Sequence, residues 1–294
     1  MSIPNEKLRL SLEELGACLL DKSTPEHTLA ALQHRRNLVK AWGILSGSKV
    51  LEIGPGQGDF TVILADAVGP TGQVVAVDPA PLDWGTPDLA SAQAHTLASP
   101  LGSRINFVQA EPAVFLENNE ETFDSVVFGY CIWFFADPSV LPIMLSWARN
   151  RAHRLLIAEY SLSASTFSGI PHVLAAMTSN VIEAVRTERS DRNIRCVLTP
   201  IQIAKAAKKA GWSLHKQQTL IPELKQIEGM REVRMLIKSQ NVRKELETLM
   251  ESLDTQKRTM LLGMLSAVDM SVQKVEGGIS GLRNMDSWVA QFHA

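Results

Sequence analysis

The segment Val50-Leu-Glu-Ile-Gly-Pro-Gly-Gln-Gly-Asp-Phe60 constrains the fold of this chain more than any other. Residues 50–53 form a short, mostly apolar run, as expected of a strand buried on both faces of a parallel sheet. Three glycines then alternate, Gly54, Gly56 and Gly58. They allow a sharp turn and a close approach of backbone to ligand. From Phe60 to Val68 apolar residues recur at helical spacing. A helix therefore starts at the loop, with its free N–H groups facing whatever the loop holds. A second apolar run, 74–77, ends in Asp78, twenty residues beyond Gly58. An acid at that point suits the two hydroxyls of a ribose. The segment thus predicts the first βαβ unit of a parallel sheet, with a nucleotide-like ligand at its C-terminal edge.

The rest of the chain extends this pattern. Further strands are expected at 105–108, 125–128 and 155–158, with a helix in each gap. After the fifth strand the alternation stops. Residues 161–198 are too many for a simple connection, and 171–185 carry a helical stripe of Val173, Leu174, Met177, Val181 and Val185. Thr199-Pro200 opens another helix, which Gly211 ends, and 212–220 read as a sixth strand. Residues 223–275 are helical by pattern. At 286–292 the period changes to two, with Trp288, Ala290 and Phe292 on one face, which predicts a terminal strand. Ahead of the first strand, Leu12, Leu15, Leu19 and Leu20 give one helical stripe and Leu29, Leu32, Leu38 and Val39 another, the second opened by Thr24-Pro25-Glu26. The expected organisation is one domain over 1–294. Its additions are a helical cap at 1–46, a lid insertion at 161–198 and a helical insertion at 223–275.

Composition narrows the function. A net charge of −2 leaves no basic footprint for nucleic acid. Three scattered cysteines (Cys18, Cys131, Cys196) form no metal or disulfide pattern and fit a reducing, cytoplasmic setting. The early charges Glu6, Lys7 and Arg9 predict no leader, and no apolar run reaches membrane-spanning length. The glycine spacing is neither a P-loop nor the GxGxxG of a dinucleotide site. The seven histidines form no metal-ligand spacing, so no metal is expected.

The pattern Glu52-x-Gly54-x-Gly56-x-Gly58, with Asp78 beyond it, resembles motif I of the class I S-adenosylmethionine-dependent methyltransferases, and the likeness runs from about residue 49 to 220. It implies an α/β, Rossmann-like sheet of seven strands, mostly parallel, whose last strand runs antiparallel. It also implies S-adenosyl-L-methionine as cofactor, bound by Glu52, Gly54, Gly56, Gly58 and Asp78. At the end of the third strand Glu111 matches the family's adenine-binding aspartate, one methylene longer; alternatively it caps the next helix. Gly129, ending the fourth strand, would let the methionine part pass. Tyr130, Trp133 and Phe134 would wall the sulfonium, or Trp133 and the phenylalanines would pack in the core. N-terminal helices often cover this site in the family, which puts Gln33 or Arg36 within reach of the methionine carboxylate. A solvated face is the other reading of that pair.

Methyl transfer needs nucleophile, methyl and sulfur roughly in line with water excluded, and a base only where the nucleophile carries a proton. His172 and Tyr130 are the expected catalytic residues. Glu159 and Tyr160 could also line the pocket, and His153, at the far end of strand five, reads as structural. Thr24-Pro-Glu-His-Thr-Leu29, Pro171-His172 and Met285-Asp-Ser-Trp-Val289 are also similar to a fungal group of small-molecule methyltransferases of natural-product metabolism. The expected reaction is methylation of O, N or S on a small, largely apolar acceptor. A homodimer is compatible with the sequence. Two alternatives stay open: the same fold catalysing a cyclisation or rearrangement, and a non-catalytic, cofactor-binding subunit.

Overall fold

A computed structural model describes residues 9–20, 23–188, 190, 192 and 194–294. Glu6 and Lys7 lie outside the described residues. Seven strands form one sheet in the order β3-β2-β1-β4-β5-β7-β6. They are β1 (Lys49–Ile53), β2 (Gln73–Asp78), β3 (Ile105–Gln109), β4 (Phe123–Gly129), β5 (Ala152–Tyr160), β6 (Ser213–Leu220) and β7 (Ser287–His293). The first five pair in parallel, and β7 runs antiparallel between β5 and β6. Trp288, Ala290 and Phe292 share one face of β7, and all three are buried. This is the sheet that the two sequence periodicities predict.

Each strand residue points to the face opposite its neighbour's, so the central strands feed two cores. Val50, Ala76, Val127 and Leu156 pack on one side against α2 (Pro25–Trp42) and α3 (Asp59–Val68). Leu51, Val75, Val126 and Leu155 pack on the other against α6 (Val140–Arg149) and α8 (Pro200–Lys209). Of the remaining early helices, α1 (Leu12–Ala17) lies on α2, α4 (Leu89–Leu97) follows β2 and α5 (Pro112–Asn118) follows β3.

A third core stands apart from the sheet. The helix α7 (Ile170–Val185) comes from the 161–198 segment. The helices α9 (Glu228–Lys238), α10 (Gln240–Ser252) and α11 (Thr255–Gln273) come from the stretch between β6 and β7. Ala175 and Ile182 of α7 are buried with Val233, Leu236, Leu246, Leu261 and Val268 of the other three. Two insertions that are separate in sequence thus share one hydrophobic cluster. Neither has enough apolar surface of its own to be stable, which is why they fold together.

Candidate active site

The glycine loop lies at the C-terminal end of β1, the position where open α/β sheets take ligands. Gly54, Gly56 and Gly58 all have positive φ (70°, 54° and 96°). A Cβ on Gly54 would stand 2.7 Å from Cys131 Cβ, so the loop packs directly on the segment after β4. Beside Gly56 the same test finds open space within 4 Å. Asp78 holds the loop from the next strand. Its Oδ2 accepts from Gly56 N–H and its Oδ1 from Ala80 N–H, both at 2.9 Å. Each oxygen keeps a second lone pair for a ribose hydroxyl.

Glu52 lies beneath this loop and is 1% exposed. Thr61 of α3 donates to its Oε2 at 2.7 Å. Burial pushes its carboxyl up to about 8, against the lowering effect of the Thr61 bond. It supports the turn from behind and ties β1 to α3. Glu111 stands at the N-cap position of α5, exposed, and its side chain makes no capping bond. Its carboxylate is free on the face where an adenine amine would lie.

At the end of β4 the chain makes a strained turn. Gly129 lies so close to Phe60 that a Cβ would stand 2.7 Å from the ring. Tyr130 has φ +55°, rare for a side-chain-bearing residue. Its hydroxyl is shared with His34 Nε2, at 2.9 Å, and with Ser287 Oγ. Burial, above all, pushes the Tyr130 phenol up, so it stays protonated at neutral pH. Burial likewise lowers His34 to about 4. The Tyr160 ring lies 4.8 Å from that of Tyr130, 5.5 Å from Trp133 and 4.9 Å, edge-on, from His172. Trp133 is buried and donates to Leu198 O, whereas Phe134 is exposed.

Three expected residues sit elsewhere or do other work. Arg36 turns away from the cleft, donating to Leu10 O at 2.5 Å with Asp66 at 4.0 Å. Gln33 donates to Asn37 Oδ1 on its own helix. Their neighbour Arg35 faces the cleft. It lies 3.3 Å from Asp59 and 3.7 Å from Glu228, over the Phe60 ring, and its Nε is buried with no partner. Burial alone would lower Arg35, but Asp59 and Glu228 override it and hold the guanidinium charged.

His172 is fully buried, and both its ring nitrogens are committed. Met285 N–H donates to Nδ1 at 3.0 Å, so the proton sits on Nε2, which faces Glu232 Oε2 at 2.8 Å. No lone pair is left to take a proton from an acceptor. His172 is a positioning residue that joins α7, α9 and the entry to β7. Glu159 is similarly spent. Its oxygens accept from Tyr160 N–H and Ile132 N–H, and burial raises it to about 8. Among the described residues no group of three or more His, Cys, Asp or Glu side chains could hold a metal ion, and no helix is long and apolar enough to cross a membrane.

The cleft beside the glycine loop is lined by Thr28, Ala31 and Arg35 of α2, Gln57 and Asp59 of the loop and α3, and Glu228 of α9. Asp78 and Glu111 lie on an open surface beyond it. Open space at Gly56, free lone pairs on Asp78 and an unpartnered guanidinium nitrogen fit a ligand with a ribose at one end and an amino acid at the other.

Comparison with known proteins gives the same answer. Residues 28–149 match the model of the ubiE/COQ5 methyltransferase family. Over 88% of this chain and 82% of its own length, the methyltransferase phomM' of Diaporthe leptostromiformis is 28% identical. A demethylmenaquinone methyltransferase of Staphylococcus aureus is 43% identical over a 44-residue stretch, 15% of this chain and 18% of its own. In fold the chain resembles a cyclopropane-fatty-acyl-phospholipid synthase-like protein from Lactobacillus casei, with a TM-score of 0.79 over 96% of this chain and 98% of the other, at 24% identity.

Proposed function

The chain belongs to the class I S-adenosylmethionine-dependent methyltransferases, and from that premise we propose that it methylates an oxygen, nitrogen or sulfur of a small, largely apolar metabolite in the cytoplasm. The observation that carries the acceptor class is the aromatic cluster Tyr130, Trp133 and Tyr160, gathered where β4 and β5 end and roofed by α7 and α9. A groove walled by rings selects apolar surface and excludes water. Three free, buried cysteines agree with a reducing compartment.

When bound, S-adenosylmethionine supplies an electrophilic methyl on a sulfonium. This chain's part is to hold and to dry. Asp78 takes the ribose, Glu111 the adenine amine, and the glycine loop with Arg35 the amino-acid end. The aromatic faces favour the sulfonium cation. Tyr130, Glu159 and His172 are each engaged by internal hydrogen bonds, so alignment and desolvation carry the rate rather than a general base among them.

The test is mass spectrometry after incubation with methyl-labelled cofactor and a panel of apolar phenols, amines and thiols. Transfer of the label to one member, with a mass gain of one methylene, is expected. Transfer to protein or nucleic acid and to no small molecule would overturn the acceptor class.

A further inference from the structure

Arg35 stands between two carboxylates from different parts of the molecule. Asp59 opens α3 on the cofactor side, and Glu228 opens α9 in the separately cored helical cap. The pairs are loose, at 3.3 and 3.7 Å and one-pronged, although the guanidinium is almost wholly enclosed, with its side chain 13% exposed. A good arginine–carboxylate pair is two-pronged and shorter. The Nε, the donor that would complete a fork, is buried without a partner. All three groups line the same cleft. The order of charge is minus, plus, minus. A zwitterionic α-amino acid is its complement, with its carboxylate on Arg35 and its ammonium on a flanking carboxylate.

Glu228 is also wired into the cap. Asn284 Nδ2 donates to its Oε2 at 2.9 Å, while Gly229 N–H donates to Asn284 Oδ1 at 2.8 Å. One turn along α9, Glu232 takes the bond from His172 of α7. Gly229 is packed so tightly here that a Cβ would stand 2.6 Å from His172 Nδ1. Burial pushes Glu228 up, but Arg35 and the Asn284 bond override it, and the carboxylate is held below its ordinary value. An anion at this corner is thus built in, and it belongs to the cap. The other contacts between α2 and the segment before α9 are polar too. His27 bonds Lys225 O, Glu26 pairs with Lys225 and Asn37 donates to Glu223.

We propose that Glu228 is a cofactor-binding residue contributed by the cap, and that the cofactor's amino-acid end, seated between Arg35 and Glu228, clamps α9 onto the cofactor half. Cap closure then follows cofactor binding, so the acceptor pocket is completed only once the methyl donor is in place. The inference rests on the cofactor reading above. It adds the coupling of that site to the cap.

The experiment uses two ligands that share the adenosine part. S-adenosylhomocysteine has the amino-acid end, and 5′-methylthioadenosine lacks it. Calorimetry gives their affinities, and hydrogen exchange reports on α9. The wild type is expected to prefer S-adenosylhomocysteine at least about tenfold, as for one charge-assisted contact. That ligand alone should slow exchange across α9. Glu228→Gln keeps the shape and can still bond Asn284. It should bind methylthioadenosine normally, yet lose most of the preference and the protection. Arg35→Met should do the same. Equal protection of α9 by the two ligands, or an undiminished preference in Glu228→Gln, would overturn the proposal. Failure of the wild type to bind either ligand would instead overturn the cofactor reading, and the clamp with it.

Discussion

The cofactor half and the cap are held together in different ways. Around β1, β2 and α3 the chain is local. Strand, glycine loop, helix and acid follow one another within residues 49–78, and their apolar residues run directly into the sheet cores. The cap is assembled from two distant insertions with a core of their own, and it meets the cofactor half through polar and ionic links. Apolar burial is strong and undirected, whereas buried polar links are weaker and depend on geometry. A rigid platform carrying a cap that can respond to ligand follows from that division.

The largest expected effects test whether the two cores are independent. Phe128 is fully buried under the sheet, and Phe128→Ala should cost about 3–5 kcal/mol and lower the stability of the whole chain. Leu261 is fully buried in the cap core. Leu261→Ala should cost about 2–5 kcal/mol, with hydrogen exchange rising in α7 and α9–α11 while β1 and β4 keep their protection. Uniform loss of protection in both variants would erase the distinction.

Next comes Asp78→Ala. It removes a charged acceptor from the ribose and the brace from Gly56, at about 1.5–3 kcal/mol. Titration with S-adenosylhomocysteine should show at least tenfold weaker binding, with the cap's exchange in the free protein unchanged.

His172→Ala sharpens the comparison from the cap side. It leaves Met285 N–H and Glu232 without their partner, a loss of about 1–3 kcal/mol in stability. The pH dependence of turnover should keep its shape. A missing ionisation in the variant's pH–rate profile would restore His172 as a base.

The smallest effect concerns Glu52. Its folded-state carboxyl, near 8, lies above the ordinary 4.5. The folded protein therefore holds a proton that the unfolded chain has lost, and this group's contribution to stability declines as pH rises from about 4.5 to about 8. Glu52→Gln should flatten that decline, matching wild type near pH 4.5 and exceeding it near pH 8 in urea denaturation. Thr61 can still donate to the amide oxygen.

The same division decides how much the sequence reveals. The glycine loop, Asp78 and the order of strands are read from local spacing, and the period-two run at 286–292 marks β7 correctly. Arg35 escapes because Gln33, Arg35 and Arg36 differ only by their turn around α2. Thr28 and Ala31 are the available signal, since a small row at i−7 and i−4 leaves a trough beneath Arg35. His34 is missed because its partners, Tyr130 and Ser287, lie 96 and 253 residues away. His172 is singled out as a lone histidine in the right insertion. Only the fold brings up Glu232 and Met285 to occupy its nitrogens. The shared core of 161–198 and 223–275 is invisible in sequence for the same reason, since each shows its own stripe and nothing pairs them.

A crystal structure of the complex with S-adenosylhomocysteine tests the central claim most directly. Both ribose hydroxyls are expected on the Asp78 carboxylate, the amino-acid end between Arg35 and Glu228, and the thioether sulfur toward Tyr130 and Tyr160. A ligand bound away from the glycine loop, or a ribose that leaves Asp78 untouched, would contradict it.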